Sequence, residues 1–338
     1  MSIIRSVQVD QPGGPLRLVD REIGEPGFGQ ARVAIEACGM CHTDAGFVNN
    51  MFPGLRFPLT PGHEIAGRVE AVGQGVEAWA PGDRVAVGWF GGHCGYCASC
   101  RHGDFIHCQR AQVPGWAYPG GYAEKIIVPA NALARVPEGL TAAEAAPMGC
   151  AGVSVFNPLR RHARPDDRIA IVGFGGLGHM ALQFAVQMGL RTAVVARGKE
   201  KEELAYKLGA RHYIDSLSED VAPALQKLGG ARVALATAAN ADVMTATIDG
   251  LQTGGVLVVL GAVAEPVRVS PFQVILQSRT VQGHGAGTAV EVEEAMSFAA
   301  LTGVRPLVEE VPLEEAQTGY ERMLANKARF RIVLTTGR

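Results

Sequence analysis

The hexapeptide Gly173-Phe174-Gly175-Gly176-Leu177-Gly178 constrains the fold of this 338-residue chain more than any other stretch. It follows the apolar run Arg168-Ile169-Ala170-Ile171-Val172, which reads as a buried strand, and it opens a helical pattern over about 177–188. A glycine-rich hexamer alone is a weak signal. Between a strand and a helix it acquires a mechanism: glycines permit a tight turn and close approach of the backbone to a pyrophosphate, which the helix N-terminus then holds. The alternative is a glycine turn that serves packing alone. Further apolar runs at 192–196, 233–237, 256–260 and 280–283 have amphipathic helical patterns between several of them, the signature of a doubly wound parallel sheet.

The chain is longer than one core supports, since single cores stop growing near ~250–300 residues, so two domains are expected. Before about position 139 the pattern is different. Alternating apolar runs at 2–10, 30–37 and 65–73, cut by Pro and Gly, predict antiparallel β structure of barrel-like form. Thr141 followed by Glu144 matches a capping box and marks the first convincing helix. Helical patterns near 292–301 and 314–326 and a strand at 330–334 occupy the last fifty or so residues. The formal net charge is −2 and no basic run exceeds Arg160-Arg161-His162, which argues against a nucleic-acid or membrane-surface partner. No apolar run reaches the ~20 residues of a membrane span, and residues 2–10 lack a signal peptide's apolar core. A cytoplasmic protein with a small-molecule partner is expected.

Seven cysteines in a reducing compartment point to metal rather than to disulfides. Cys94-x2-Cys97-x2-Cys100-x7-Cys108 offers four thiolates in one loop, enough to close a tetrahedral zinc site of the structural kind. An iron–sulfur cluster is the rival, although its bacterial motif places the fourth Cys three residues on and follows it with Pro. His93, His102 and His107 have the chemistry to substitute as ligands, but beside four cysteines each reads as a solvated loop residue. Elsewhere, Cys41-His42-Thr43-Asp44 puts a soft ligand, a hydroxyl and a carboxylate side by side, and Gly62-His63-Glu64 adds an imidazole. Cys41, His63 and Cys150 would make a Cys₂His site with one open position, the catalytic arrangement. Spacing does not show that they meet, and a Cys among small residues is often simply buried.

In NAD-binding proteins an Asp or Glu about twenty residues past the glycines holds the ribose hydroxyls. Here the place is taken by Ala196-Arg197-Gly198-Lys199. With no acid to repel a 2′-phosphate and two cations to bind one, NADP(H) is favoured over NAD(H). The competing view makes Arg197 and Lys199 an exposed cap on a surface helix.

Taken together, the Cys41–Asp44 stretch, Gly62-His63-Glu64, the four-cysteine loop, Cys150 and the Gly173–Gly178 turn give a chain that resembles the zinc-dependent medium-chain alcohol dehydrogenases over essentially its full length. The resemblance implies a GroES-like β-barrel catalytic domain over 1–152 and 288–338, carrying both zinc sites, and a Rossmann NAD(P)-binding domain over 153–287. It implies two zinc ions, a catalytic one on Cys41, His63 and Cys150 and a structural one on Cys94, Cys97, Cys100 and Cys108. Thr43 matches the hydroxyl that bonds the substrate oxygen, and Asp44 the carboxylate that braces His63. Glu64 matches a carboxylate that approaches the metal or forms an ion pair beside it. His42 and Arg331 match contacts to the cofactor pyrophosphate, in addition to Gly173, Gly175, Gly176, Leu177 and Gly178. Trp89 resembles a pocket aromatic, and Trp116 joins it as a candidate. One departure is Gly46, where many relatives carry a His that completes a proton relay.

The implied activity is reversible hydride transfer between a primary or secondary alcohol and NAD(P), with an alcohol or aldehyde substrate and a homodimer or homotetramer. An inactive NADP-binding sensor of the same fold is the alternative. Zinc-free quinone reductase relatives have no use for these cysteines.

Overall fold

The computed structural model describes residues 2–337 and divides into two compact units, Met1–Val153 with Ala286–Leu301 and Pro306–Arg338, and Ser154–Gly285 with Thr302–Arg305. No helix among the described residues is long and apolar enough to cross a membrane.

The first unit is organised around the strand Gln30–Gly39. Along its first half it pairs with Lys125–Pro129, from Gln30 opposite Pro129 to Ala34 opposite Lys125. At Ala37–Gly39 the same edge passes to Arg331–Thr335, while Ile65–Val72 runs antiparallel along the other edge with two register slips. Changing partners midway folds the sheet over itself. Arg84–Val87 and Ala134–Arg135 extend it, and Val308–Pro312 adds the one parallel pairing. Ala31, Val33, Ile35 and Ala37 point inward in alternation, and then Cys38, Gly39, Met40 and Cys41 are all buried. The end of this strand is therefore covered on both faces, and this is where the polar site lies. The capping box at Thr141 is present, with Thr141 N–H donating to Glu144 Oε2 at 2.8 Å and Glu144 N–H donating to Thr141 Oγ1 at 3.2 Å.

The second unit is a six-stranded parallel sheet ordered His212–Asp215, Arg191–Ala196, Arg168–Val172, Ala231–Ala236, Leu251–Val259, Thr280–Gly283. In chain order this is the 3-2-1-4-5-6 arrangement of a dinucleotide-binding sheet, with the direction of winding reversing at Arg168–Val172. Its interior strands are continuous apolar runs because helices cover both faces. His212–Asp215 did not announce itself in the sequence. It is an edge strand in which only Ile214 is buried, so hydrophobic patterning has little to register.

Candidate metal centre and cofactor turn

Cys41 lies at the junction between the strand Gln30–Gly39 and the helix His42–Val48. Asp44 fixes that junction. Fully buried, it accepts the Cys41 N–H at 2.9 Å and the Tyr122 O–H at 2.9 Å on one oxygen, and the Gly62 N–H at 3.2 Å and His63 Nδ1 at 2.9 Å on the other. Four donors satisfy the hydrogen-bonding capacity of a carboxylate buried away from water. With Asp44 accepting at Nδ1, the neutral imidazole carries its proton there and leaves the Nε2 lone pair free.

That Nε2 is buried and has no hydrogen-bond partner. It belongs to a group in which one ligand atom each from Cys41, His63, Glu64 and Cys150 all lie within 4.8 Å of one another. An orphaned ring nitrogen facing two sulfurs in the interior costs about 1–3 kcal/mol if nothing binds it. A mixed N/S set of this kind is what Zn²⁺ takes, and these residues fit a zinc ion. The Cys150 thiol and the His63 ring hold Cys41 well below the usual thiol range against the opposing effect of burial. Cys150 shifts upward through its contact with Cys41 and through burial.

Cys150 reaches the group through a backbone clamp. A Cβ at Gly88 would fall 1.9 Å from the Gly149 carbonyl oxygen, and a Cβ at Gly149 would fall 2.7 Å from Gly88 Cα, so neither position has room for a side chain. The Trp89 N–H donates to the Gly149 carbonyl at 3.2 Å and ties the end of Arg84–Val87 to the turn that presents Cys150.

Glu64 is fully buried beside Arg331, whose Nη2 stands 3.1 Å from Glu64 Oε1 in an ion pair that lacks hydrogen-bond geometry. Arg331 also donates to the Met40 carbonyl at 2.9 Å. Burial pushes Glu64 up to about 8, with the guanidinium pulling the other way. Arg331 is thus directed into the metal group, while His42 is exposed at the start of its helix. Thr43 is partly exposed, with Oγ1 3.6 Å from Cys41 Sγ.

Four rings stand over the group. Trp89 lies edge-on to His63 at 5.4 Å between centroids, and Phe47 lies 5.9 Å from the same ring. Phe52 is 5.0 Å from Phe47 and 5.2 Å from Trp116, whose indole N–H donates to the Pro53 carbonyl at 3.0 Å.

The sulfurs of Cys94, Cys97, Cys100 and Cys108 also lie within 4.8 Å of one another. Measured pairs are 3.6 Å for Cys94–Cys108, 3.9 Å for Cys97–Cys108 and 4.0 Å for Cys94–Cys100. A tetrahedron with Zn–S bonds of about 2.3 Å has edges of about 3.8 Å, so the cradle has the size of one ion. The N–H groups of Cys94 and Arg110 donate to the Cys108 sulfur at 3.4 and 3.3 Å. Of the loop histidines, His93 lies against the Phe105 ring at 4.3 Å, His107 is on Asp104 at 2.8 Å, and His102 is exposed. Cys38 is a core residue of the first unit.

In the second unit the glycines of the turn divide the work. Gly173 has φ +102°, and its Cβ would meet the Ala238 nitrogen at 2.7 Å. A Cβ on Gly178 would strike the Gly173 carbonyl oxygen at 2.0 Å, so the helix Gly178–Gln187 can start close to the strand only with glycine there. Gly175 faces open space, which leaves its backbone approachable. Arg197 and Lys199 are exposed, and the charge of Lys199 acts on Asp215.

Sequence reading did not find Tyr122 as a site neighbour. Tyr122 is 78 residues from Asp44, and no local spacing marks it.

A dinucleotide-binding sheet combined with a thiol–imidazole metal group defines a zinc-binding nicotinamide-dependent oxidoreductase. Residues 27–138 match the alcohol dehydrogenase GroES-like domain, and residues 176–300 match the zinc-binding dehydrogenase domain. Alcohol dehydrogenase patD of Penicillium expansum is 41% identical over 327 residues, covering 96% of this chain and 95% of that protein. An alcohol dehydrogenase of Geobacillus stearothermophilus is 36% identical and covers 98% and 99%. Among solved structures, a cinnamyl alcohol dehydrogenase of Sorghum bicolor superposes with a TM-score of 0.89 at 29% identity over 99% and 98% of the two chains. The chain belongs to the zinc-dependent medium-chain alcohol dehydrogenase family and is an oxidoreductase acting on alcohols.

Proposed function

We propose that this enzyme interconverts primary alcohols bearing apolar, partly aromatic substituents with their aldehydes, using NADP(H), one catalytic zinc on Cys41, His63 and Cys150, and one structural zinc on Cys94, Cys97, Cys100 and Cys108. The observation that carries the reading is the buried His63 Nε2, locked by Asp44 and lacking any protein partner beside two thiols. The first unit acts as the catalytic domain and the second as the cofactor domain. A homodimer or homotetramer, which the family resemblance implies, is part of this proposal.

A zinc ion at this position supplies a Lewis acid, which lowers the pKa of an alcohol and polarises an aldehyde carbonyl, and the nicotinamide supplies the hydride acceptor or donor. The protein's own residues do the remaining work. Thr43 Oγ1 receives the alcohol proton through a hydrogen bond and gives up its own to water, to which its partial exposure gives access. Asp44 keeps the His63 proton on Nδ1. Trp89, Phe47 and Phe52 form an apolar wall that excludes water and favours flat or aliphatic substituents. Arg331 places a cation 3.1 Å from Glu64, at the edge of the thiol group. Gly173, Gly175 and Gly178 would hold the cofactor pyrophosphate at the turn, and Arg197 and Lys199 would supply cations for a 2′-phosphate.

The test follows reduced-cofactor absorbance over a panel of alcohols and aldehydes with NADP and with NAD. Aromatic and medium aliphatic primary alcohols should turn over best, and kcat/KM should be higher with NADP. Better turnover with NAD would defeat the cofactor assignment. Thr43→Ala should lower kcat by roughly 10²-fold or more while the zinc content stays unchanged, and a fully active Thr43→Ala enzyme would remove the role given to that hydroxyl.

A further inference from the structure

The turn after the strand Arg191–Ala196 is held from the neighbouring edge strand His212–Asp215. Asp215 pairs with Ala196 in parallel register, and Ser216 N–H donates to the Ala196 carbonyl at 2.9 Å. One residue beyond Arg197, Gly198 adopts a left-handed φ of +69°, and both of its peptide groups are gripped. Its N–H donates to Asp215 Oδ1 at 2.7 Å, and its carbonyl accepts the Tyr213 O–H at 2.7 Å. Asp215 Oδ1 also accepts the Leu217 N–H at 3.0 Å, so this one oxygen holds two backbone donors, with the Lys199 charge nearby. On the other side Lys201 Nζ donates to the Phe174 carbonyl at 3.0 Å and links this turn to the glycine-rich one. Arg197 and Lys199, on either side of the gripped glycine, are exposed.

We propose that Asp215 and Tyr213 are positioning residues for cofactor selection: by fixing Gly198 through its N–H and its C=O, they set the turn from which Arg197 and Lys199 meet the 2′-phosphate of NADP. The proposal rests on the NADP reading above. A turn centred on a left-handed glycine would otherwise sample many shapes, and each binding event would have to order it together with two long side chains. Gripping the backbone beforehand removes that part of the cost for a ligand carrying the phosphate. For NAD, which lacks the phosphate, the turn has little to contribute. The grip therefore acts on discrimination between the two cofactors.

Calorimetric dissociation constants for NADPH and NADH, with KM and kcat for NADP and NAD, are measured on the full-length zinc-loaded enzyme and four variants. Arg197→Ala tests the underlying reading and should weaken NADPH at least tenfold with little change for NADH. Asp215→Ala and Tyr213→Phe should each weaken NADPH and raise the NADP KM about three- to tenfold, the worth of one lost hydrogen bond, with the loss falling on KM rather than kcat. Asp215→Asn keeps an oxygen that accepts both N–H groups and should restore most of the affinity lost in Asp215→Ala. If Arg197→Ala weakens NADPH but Tyr213→Phe and Asp215→Ala leave the NADPH/NADH ratio unchanged, the positioning role is wrong and the NADP reading stands. If Asp215→Asn is as impaired as Asp215→Ala, charge rather than the grip is responsible and the proposal fails. If Arg197→Ala changes nothing, reading and proposal fall together. Should Asp215→Ala not fold, Tyr213→Phe decides the matter.

Discussion

The ring of Phe52 lies against Gly46 so closely that a Cβ at position 46 would fall 2.7 Å from the ring edge. The position to which the family resemblance assigns a relay histidine is thus closed by an aromatic side chain, itself 5.0 Å from Phe47 and 5.2 Å from Trp116. Introducing Gly46→His should overpack this cluster and lower stability by about 1–3 kcal/mol. In a Phe52→Ala background the same substitution should cost far less. Thermal or urea melts of the two single variants and the double variant measure the coupling, and additive losses would mean that the ring does not block the position.

The two cysteine groups predict separable metals. Purified enzyme should contain about two zinc ions per chain by elemental analysis. His63→Ala or Cys150→Ala should reduce this to about one and abolish turnover with little change in the far-ultraviolet circular dichroism. Cys97→Ser should also lose one ion, but with a fall in melting temperature, because a closed four-thiolate site contributes directly to folding. Loss of both metals from any of the three single variants would contradict two independent sites.

Tyr122 donates to Asp44 at 2.9 Å, and Asp44 in turn holds His63. Tyr122→Phe removes one of four donors to a buried carboxylate and should destabilise the fold by about 1–3 kcal/mol. It should also weaken the zinc held by His63 by about tenfold, as other perturbations of a ligand's hydrogen-bond partner do. Competition with a zinc-binding dye against denaturant melts distinguishes this from a purely structural loss, which would leave metal affinity intact.

Glu70 provides the pH test. Burial raises its pKa, but Lys125 and Arg32 lower it by more, so the carboxyl titrates below its ordinary value. A carboxylate harder to protonate in the folded than in the unfolded chain stabilises above the unfolded pKa, and the contribution is lost as pH falls through the folded value. Glu70→Gln should therefore be less stable by about 1 kcal/mol near pH 7, a figure reduced for partial exposure, and the difference should shrink below roughly pH 4. Urea melts across that range provide the check, and a difference that persists at low pH would exclude the ion pairs as its source.

Much of this architecture was legible in linear order because its determinants are local. A strand, a turn that tolerates only glycine at Gly173 and Gly178, and a helix lie within twenty residues of one another. Four cysteines in a fifteen-residue loop likewise have little choice but to converge. The missing acid after Ala196 was visible in the sequence for the same reason. The edge strand His212–Asp215 escaped because one buried side chain is too little for periodicity to register.

What only the tertiary structure decided depends on contacts between distant segments. Cys150 meets Cys41 and His63 because two glycines, Gly88 and Gly149, let separate backbone segments touch. Arg331 belongs beside Glu64, and Tyr122 beside Asp44, through closure of a sheet whose central strand changes partners midway. Sequence determined which residues were able to bind metal and cofactor, since that is a property of side-chain chemistry. Which of them share a site, and that Phe52 fills the space beside Gly46, was set by packing, because close-packed interiors join residues by shape and not by their distance along the chain.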